Sequence, residues 1–191
     1  MPDQKSQKRA PAAKGGLSLS DLGSALAVVL SIAALGVSLL EASTAQRAAE
    51  AQVWPYIEIS PGYNSEGFSF SLENKGVGPA RVRYATLYYA GAPMESIDAM
   101  LLDILGPEDT FGYERYRAND PTGMVVSARE EVNLFSVDWD PVTRRLSQLL
   151  STGLEIEACY CSVYDRCWTT SMRIQEPVEV ASCPTPPVGR S

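Results

Sequence analysis

The sequence predicts a mainly β protein: a β-sandwich with two short helices, preceded by one transmembrane helix and a short helical stalk. Three observations carry this expectation. Leu22 to Leu40 runs nineteen residues without a charge, between Asp21 and Glu41, long enough to cross a bilayer as one helix. Beyond it, several runs alternate apolar and polar side chains with a period of two, the mark of half-buried strands. Four cysteines fall within the 25 residues from Cys159 to Cys183, three of them in one hairpin pattern.

The flanks of the apolar run orient it. Lys5, Lys8, Arg9 and Lys14 precede it, against Asp3, while Glu41 to Ser60 holds only Arg47 as a positive residue. Positive charge stays on the cytoplasmic side of a spanning helix. Residues 1–20 therefore read as a disordered cytoplasmic leader, 21–41 as the span, and the remainder as exported. A cleaved signal peptide is the rival, with Ser43-x-Ala45 as the cleavage site. Signal cores are usually about 7–15 residues, and this run is longer and follows a long polar leader. A buried core helix is a third reading, but the rest of the chain is short for enclosing so uniformly apolar a cylinder.

Within the run, Gly23, Ala27, Ser31, Ala34 and Ser38 fall at spacings of 4, 4, 3 and 4. Such a stripe lets helix backbones approach closely and forms a self-association face. The bland alternative is that an Ala-rich helix scatters small residues everywhere. Residues 42–53 extend the helix as a stalk, being Ala-rich and free of Gly and Pro. Trp54-Pro55 stops it, because proline disfavours helix in its predecessor.

Residues 41–191 carry 12 Arg or Lys against 21 Asp or Glu, a net charge of −9. That balance speaks against nucleic acid and against an anionic lipid surface as partners. The chain has no histidine. Ser-His-Asp and Cys-His machinery, His-bearing zinc sites and a His pH switch are therefore excluded. Residues 54–177 are of single-domain size. Residues 178–191, Pro-rich from Pro184, read as a tail.

The sandwich strands follow in order. Tyr56 to Ser60 puts Ile57 and Ile59 on one face. Glu66 to Glu73 points Phe68, Phe70 and Leu72 one way, and Ser69, Ser71 and Glu73 the other. Arg81 to Tyr89 sets Val82, Tyr84 and Tyr88 against Arg81 and Arg83. Between the last two runs, Asn74-Lys75-Gly76-Val77-Gly78-Pro79-Ala80 reads as a turn. Asn74, Gly76 and Gly78 tolerate positive φ, and Pro79 cannot donate a ladder hydrogen bond. No Lys-Ser/Thr follows, so it is not a phosphate cradle. Ser96 caps a helix bearing Ile97, Met100, Leu101, Ile104 and Leu105, ended by Gly106-Pro107. Asp140-Pro141 starts a second, with Val142, Leu146, Leu149 and Leu150 on one face, ended at Gly153. Both are too short to stand alone and are expected to lie as lids across open ends of the sandwich. Thr110 to Arg117 and Glu130 to Asp138 read as further strands, and Asn119 to Gly123 as a loop.

Glu155 to Ile174 reads as a hairpin turning near Tyr164. If Cys161 faces Cys167, paired residue numbers sum to 328. Leu154, Ile156, Ala158, Tyr160, Trp168, Met172 and Ile174 then share an apolar face. Glu155, Glu157, Cys159, Cys161, Cys167, Thr169, Ser171 and Arg173 share the other, with Glu155 opposite Arg173. A one-residue slip would break this sorting. In an oxidising compartment the cysteines are expected as disulfides, first as Cys161–Cys167 and Cys159–Cys183. Four cysteines allow three connectivities, so the choice rests on register. A four-thiolate zinc site is the rival. It lacks paired C-x2-C knuckles and fits a reducing compartment better. A redox-active pair is a further alternative, without a C-x-x-C.

Other candidates for chemistry each have a plainer role. Asp138 and Asp140 could hold a cation or act as an acid/base pair, but read better as a strand-end charge and a helix cap. Glu130-Glu131 and Glu155/Glu157 read as solvated faces. Trp54, Tyr84, Tyr88, Tyr89 and Trp139 could line a ligand groove, with core and sheet packing as the default.

The stretch Asn74 to Ala80, followed by a strand and Ala90-Gly91, resembles the "N-x-G-x-G-x-A … strand … D-G" stretch of bacterial immunoglobulin-like adhesion and CARDB-type modules. Ala90 stands where such modules often have Asp. The anchor, the Ala-rich stalk, "W-P", "N-x-G-x-G-P-A" and "C-Y-C-S-V-Y-D-x-C-W" together resemble a group of uncharacterised bacterial single-pass membrane proteins. The resemblance implies an immunoglobulin-like sandwich in a bacterial envelope setting. It carries over no active-site residue. The expectation is a non-enzymatic, inner-membrane-anchored periplasmic binding or assembly module, N-terminus cytoplasmic, with no cofactor and no metal. Its expected partners are the lipid bilayer, a second copy through the helix stripe, and an envelope protein. The alternatives are a membrane-acting effector or sensor of a defence or toxin system, and a carboxylate-dependent hydrolase.

Overall fold

The structure, a computed structural model, describes residues 19–106, 116–174 and 176–187. The chain divides into two units, one ending at Arg47 and one beginning at Ala48. The first consists of most of α1, a 34-residue helix over Leu19–Gln52. Its stretch Leu22–Gln52 is long and apolar enough to cross a membrane, and its most apolar part has mean hydropathy 2.2 and no buried side chain. Leu22, Leu30 and Leu40 are all exposed. A core helix would be covered, so the buried-core reading is excluded. The Ala-rich stalk continues the helix without a break, and it ends just before Trp54-Pro55.

The second unit holds two antiparallel sheets. The first contains β1 (Ile57–Tyr63), β2 (Gly67–Asn74), β5 (Tyr116–Ala118) and β7 (Glu131–Asp138), in the order β1-β2-β7-β5. The second contains β3 (Ala80–Tyr89), β4 (Ala92–Met94), β6 (Val125–Val126), β8 (Leu154–Cys161), β9 (Cys167–Ser171) and β10 (Val178–Val180). Its order is β10-β9-β8-β3-β4, with β6 also on β3. Ile57, Ile59, Phe68, Phe70 and Leu72 from one sheet and Val82, Ile156, Ala158, Tyr160 and Trp168 from the other build one hydrophobic core. Burying such side chains removes apolar surface from water and is the main force holding the sheets together. The Tyr160 hydroxyl accepts a 3.2 Å bond from the Ile57 amide, tying the sheets at that point.

The helices start as their caps dictate. Ser96 accepts from the Ala99 amide, opening α2 (Ile97–Leu105), and Gly106 at φ 81° closes it. A positive φ is strained for a side-chain-bearing residue, so glycine fits there. Asp140 and Thr143 cap one another reciprocally at the start of α3 (Pro141–Gly153). The face α3 buries is Thr143, Leu146 and Leu150; Val142 and Leu149 sit at its margin, half-buried. Thr143 turns inward because its hydroxyl also donates to the Asp138 carbonyl, at 2.8 Å. α2 packs on α3 and β4, and α3 packs on β3 and β8.

Several expectations are corrected. β3 was expected to place Val82, Tyr84 and Tyr88 on one face. A bulge between Val82 and Tyr84 shifts its register against β8, and an extra residue in a strand reverses the facing of all that follow. Val82 therefore meets Tyr160 on the core side, while Tyr84, Thr86 and Tyr88 lie opposite Cys159, Glu157 and Glu155 on the other. Ala85, Leu87 and Tyr89 pack on the core in their place. Ile174 lies past the end of β9 and is exposed rather than in the apolar face. Residues 178–180, expected in the tail, form β10 against β9. The short strands β4 and β6 were not anticipated. The strand expected over Thr110 to Arg117 lies outside the described residues except at Tyr116 and Arg117, as does Pro107, and the leader does so up to residue 18.

The turn after β2 has a different physical basis from the one expected. Gly76 and Gly78 are not among the positive-φ glycines. They are required by close backbone approach. A Cβ on Gly78 would stand 1.9 Å from the Val53 carbonyl oxygen, and one on Gly76 2.4 Å from the Trp54 carbonyl oxygen. The turn clasps the segment that leaves α1, with the amides of Val77 and Lys75 donating to the Trp54 and Tyr56 carbonyls at 3.0 and 2.8 Å. Asn74 is wholly buried beneath it.

These contacts set a prediction. Asn74→Ala leaves buried backbone groups without partners, each worth about 1–3 kcal/mol, so urea unfolding of the variant should show a loss of about 3 kcal/mol or more. Gly78→Ala should cost a comparable amount through its clash, whereas Gly78→Ser being harmless would contradict the backbone contact.

Candidate functional site

The cysteine hairpin gathers the most chemistry-bearing groups. β8 and β9 pair with Glu157 opposite Ser171, Cys159 opposite Thr169 and Cys161 opposite Cys167. This is the register in which paired numbers sum to 328. The turn is closed by the Ser162 amide donating to the Arg166 carbonyl at 2.8 Å, with Asp165 at φ 59°. Glu155 and Arg173 come within 3.6 Å across the strands.

Cys159 is joined to Cys183, and Cys161 to Cys167. The two bonds lie beside each other, because residues two apart on a strand share a face. Sγ of Cys161 is 3.8 Å from Sγ of Cys183. The sulfurs of Cys161, Cys167 and Cys183 all lie within 4.8 Å of one another. Cys159, Cys161 and Cys167 are buried and Cys183 is half-buried. The rival zinc reading needs thiolates at these positions; here the sulfurs are bonded in pairs.

Charged groups surround the hairpin. Arg81 lies directly across β3–β8 from Cys161. Its guanidinium donates to the Ser162 carbonyl at 3.0 Å and pairs with Asp165. Its Nε is buried and, among the described residues, makes no hydrogen bond. Arg166 forks onto both oxygens of Glu179 at 3.0 and 2.8 Å, binding β10 to the turn, and holds the Glu179 carboxyl below its usual range. This pair is exposed and contributes little to stability. In the sequence Arg81 is one polar residue of an alternating strand; only the strand register reveals its neighbour.

The structure separates the remaining candidates. Asp140 accepts from the amides of Val142 and Thr143 at 2.7 Å each, so its carboxylate serves as a cap. Glu130 closes its own turn through the Ser127 amide at 2.7 Å, which holds its carboxyl low. Trp139 packs against Phe68 with the rings tilted at 35° and donates to the Asn64 carbonyl at 2.8 Å. Trp54 is exposed and meets Tyr56 edge-on. Tyr84 donates to Glu157 at 3.2 Å. Burial first, and the Glu157 charge second, push its hydroxyl up to about 12. Gly23, Ala27, Ser31, Ala34 and Ser38 are all exposed along α1, and the Ser31 hydroxyl is turned back onto the Ala27 carbonyl at 2.8 Å. A cavity of about 740 Å³ lies elsewhere, with Phe70, Leu134 and Ile156 in its apolar wall and Ser96, Asp98 and Arg117 among its polar groups. Tyr116 donates to Asp98 within it.

Comparison with known protein families, curated proteins and solved structures gives no match for this chain.

Two predictions follow from this geometry. The Cys159–Cys183 bond closes a sequence separation of 24 and the Cys161–Cys167 bond one of 6. Loop-closure entropy makes the longer loop worth about 3 kcal/mol and the shorter about 2. Paired Cys→Ala variants compared by urea unfolding should rank in that order. Separately, the raised tyrosine hydroxyls work against the fold in alkali. Tyr84 keeps its proton in the folded state up to about 12, against 10.0 when free. The folded state then binds more protons, so stability falls as pH rises across that interval. Unfolding midpoints measured from about pH 9 to 12 should drop more steeply than in Tyr84→Phe.

Proposed function

We propose that this chain is a bacterial inner-membrane protein whose exported domain is a non-enzymatic binding or assembly module. The N-terminus is cytoplasmic, α1 crosses the membrane once and remains attached, and the β unit lies in the periplasm. The observation that carries the reading is one of sequence continuity: a helix apolar enough to span runs unbroken into residues that belong to a domain closed by two disulfides. Disulfides persist in oxidising compartments, and the excess of basic residues before the helix favours the same direction.

Within this proposal the two sheets form an immunoglobulin-like sandwich of the CARDB type. Support comes from two antiparallel sheets around one core and from the Asn74 turn that joins them. The domain's work is recognition of another envelope protein, with a second copy of the chain brought alongside through the small-residue stripe of α1. The apolar cavity with its polar rim is the kind of concave surface on which recognition is built.

An enzyme reporter active only after export, fused behind Ser191, tests the placement. A photocrosslinker at exposed Glu95 or Asp120, both lining the cavity, tests recognition in the same cells. The expected outcome is an active reporter and one discrete protein adduct that Asn74→Ala abolishes. A silent reporter, or no discrete adduct from either position, overturns the reading.

A further inference from the structure

We propose that the sulfur cluster of the hairpin is a thiol–disulfide exchange site for an extracytoplasmic dithiol, in which Cys183 moves its bond from Cys159 to Cys161. The inference relies on the exported placement above only for the supply of that dithiol.

The starting geometry is a third sulfur contact. Here Sγ of Cys183 stands 3.8 Å from Sγ of Cys161, although each is bonded elsewhere. Exchange requires a thiolate to reach a disulfide sulfur, and this pair is already close to contact. Access is graded. Cys183 is half-buried while the other three cysteines are buried, so a dithiol from solution meets Cys183 first.

The steps balance. A thiolate of the dithiol attacks Sγ of Cys183, and Cys159 leaves as a thiolate. The second thiol of the reagent closes on its own mixed disulfide and releases the Cys183 thiolate. Cys183 then attacks Sγ of Cys161, forming Cys161–Cys183, and Cys167 leaves. The dithiol is oxidised to its disulfide, one protein disulfide is lost in total, and the two protons come to rest on Cys159 and Cys167. The tail stays tethered throughout the product, two residues further along β8.

Arg81 supplies a second, independent observation. During the relay a negative charge passes among sulfurs around Cys161. Arg81 is the cross-strand neighbour of Cys161, and its Nε is a buried donor with no hydrogen-bond partner among the described residues. An unpartnered buried donor is costly and calls for a purpose. Positive charge beside a thiol favours the thiolate, so Arg81 acts here as a positioning charge for the exchange.

The test uses the full-length oxidised chain in detergent, with limiting dithiothreitol as the dithiol. Acid quenching, alkylation with N-ethylmaleimide and peptide mapping then locate each sulfur. In chains reduced by two electrons, label is expected on Cys159 and Cys167, together with a Cys161–Cys183 cross-link. Label on Cys159 and Cys183, label on Cys161 and Cys167, or all-or-none reduction would each overturn the proposal. Arg81→Gln should form the Cys161–Cys183 species several-fold more slowly at about pH 7 and at nearly the parental rate at about pH 10, where thiols ionise unaided. Arg81→Lys should recover part of the rate. Equal rates in all three chains would overturn the part assigned to Arg81. The mapping needs neither a membrane nor a partner, so its failure is distinguishable from failure of the export reporter.

Discussion

The carboxamide of Asn74 offers two acceptor sites and two donor hydrogens, and this fold uses all four. Its oxygen accepts from the amides of Tyr56 and Gly76 at 3.2 and 3.0 Å. Its nitrogen donates to the carbonyls of Gly78 and Val126 at 2.8 and 3.0 Å. Those four groups belong to the entry of β1, the turn itself and β6, so one side chain fixes the passage from the first sheet to the second. Its own backbone is bonded as well, to Glu130 and Arg129 before β7. No aspartate could substitute, because a carboxylate has no hydrogens for the two carbonyls and would be buried as a charge. The two glycines matter for the same reason. They let the turn lie directly on the segment Val53 to Tyr56, which is how "W-P" and "N-x-G-x-G-P-A" come to be spatial partners.

How much of this could be read from the chain depends on the physical range of each signal. Caps and proline stops are local, and Ser96, Asp140 and Trp54-Pro55 act where the residues stand. The hairpin register was legible too, since a single pairing sorts apolar from polar residues on both strands. Facing in β3 was not. A bulge leaves no mark in the alternation of Arg81 to Tyr89, because tyrosine suits either face, its ring being apolar and its hydroxyl polar. Only pairing with β8 shows that Tyr84 belongs with Glu157. The role of Gly76 and Gly78 was likewise read as conformational freedom, since nothing local tells a glycine needed for its φ from one needed for its missing Cβ.

The hairpin's second face shows the same limit. Cys159 and Cys161 sit on the side turned from the core, yet both are buried, 0% and 2% exposed. A half-buried strand would leave that side wet. β8 is covered there by groups distant in sequence: Arg81 from β3, and Cys183 brought back past β10. Residues beyond 177, with their prolines and small polar side chains, carry no periodic signal of their own, so composition marks them as a tail. Residues 178–183 are held by the pairing of β10 with β9 and by the Cys159–Cys183 bond.

This arrangement divides labour between the two faces of β8. Ile156, Ala158 and Tyr160 point into a core shared by both sheets, and that cluster includes no cysteine. Cys159 and Cys161 point the other way, where Tyr84 and Arg81 of β3 and the returning Cys183 lie beside them. The exchange proposed above moves the tail's bond two residues along the face of β8 that is turned from the core. Interiors are close-packed and resist small displacements, so a change confined to the outer face asks less of the sheet than one that repacks the core. The Nε of Arg81, buried and without a hydrogen-bond partner among the described residues, would be a defect in a purely structural layer. On a residue that stands across the strands from Cys161, it has a use in the exchange proposed above.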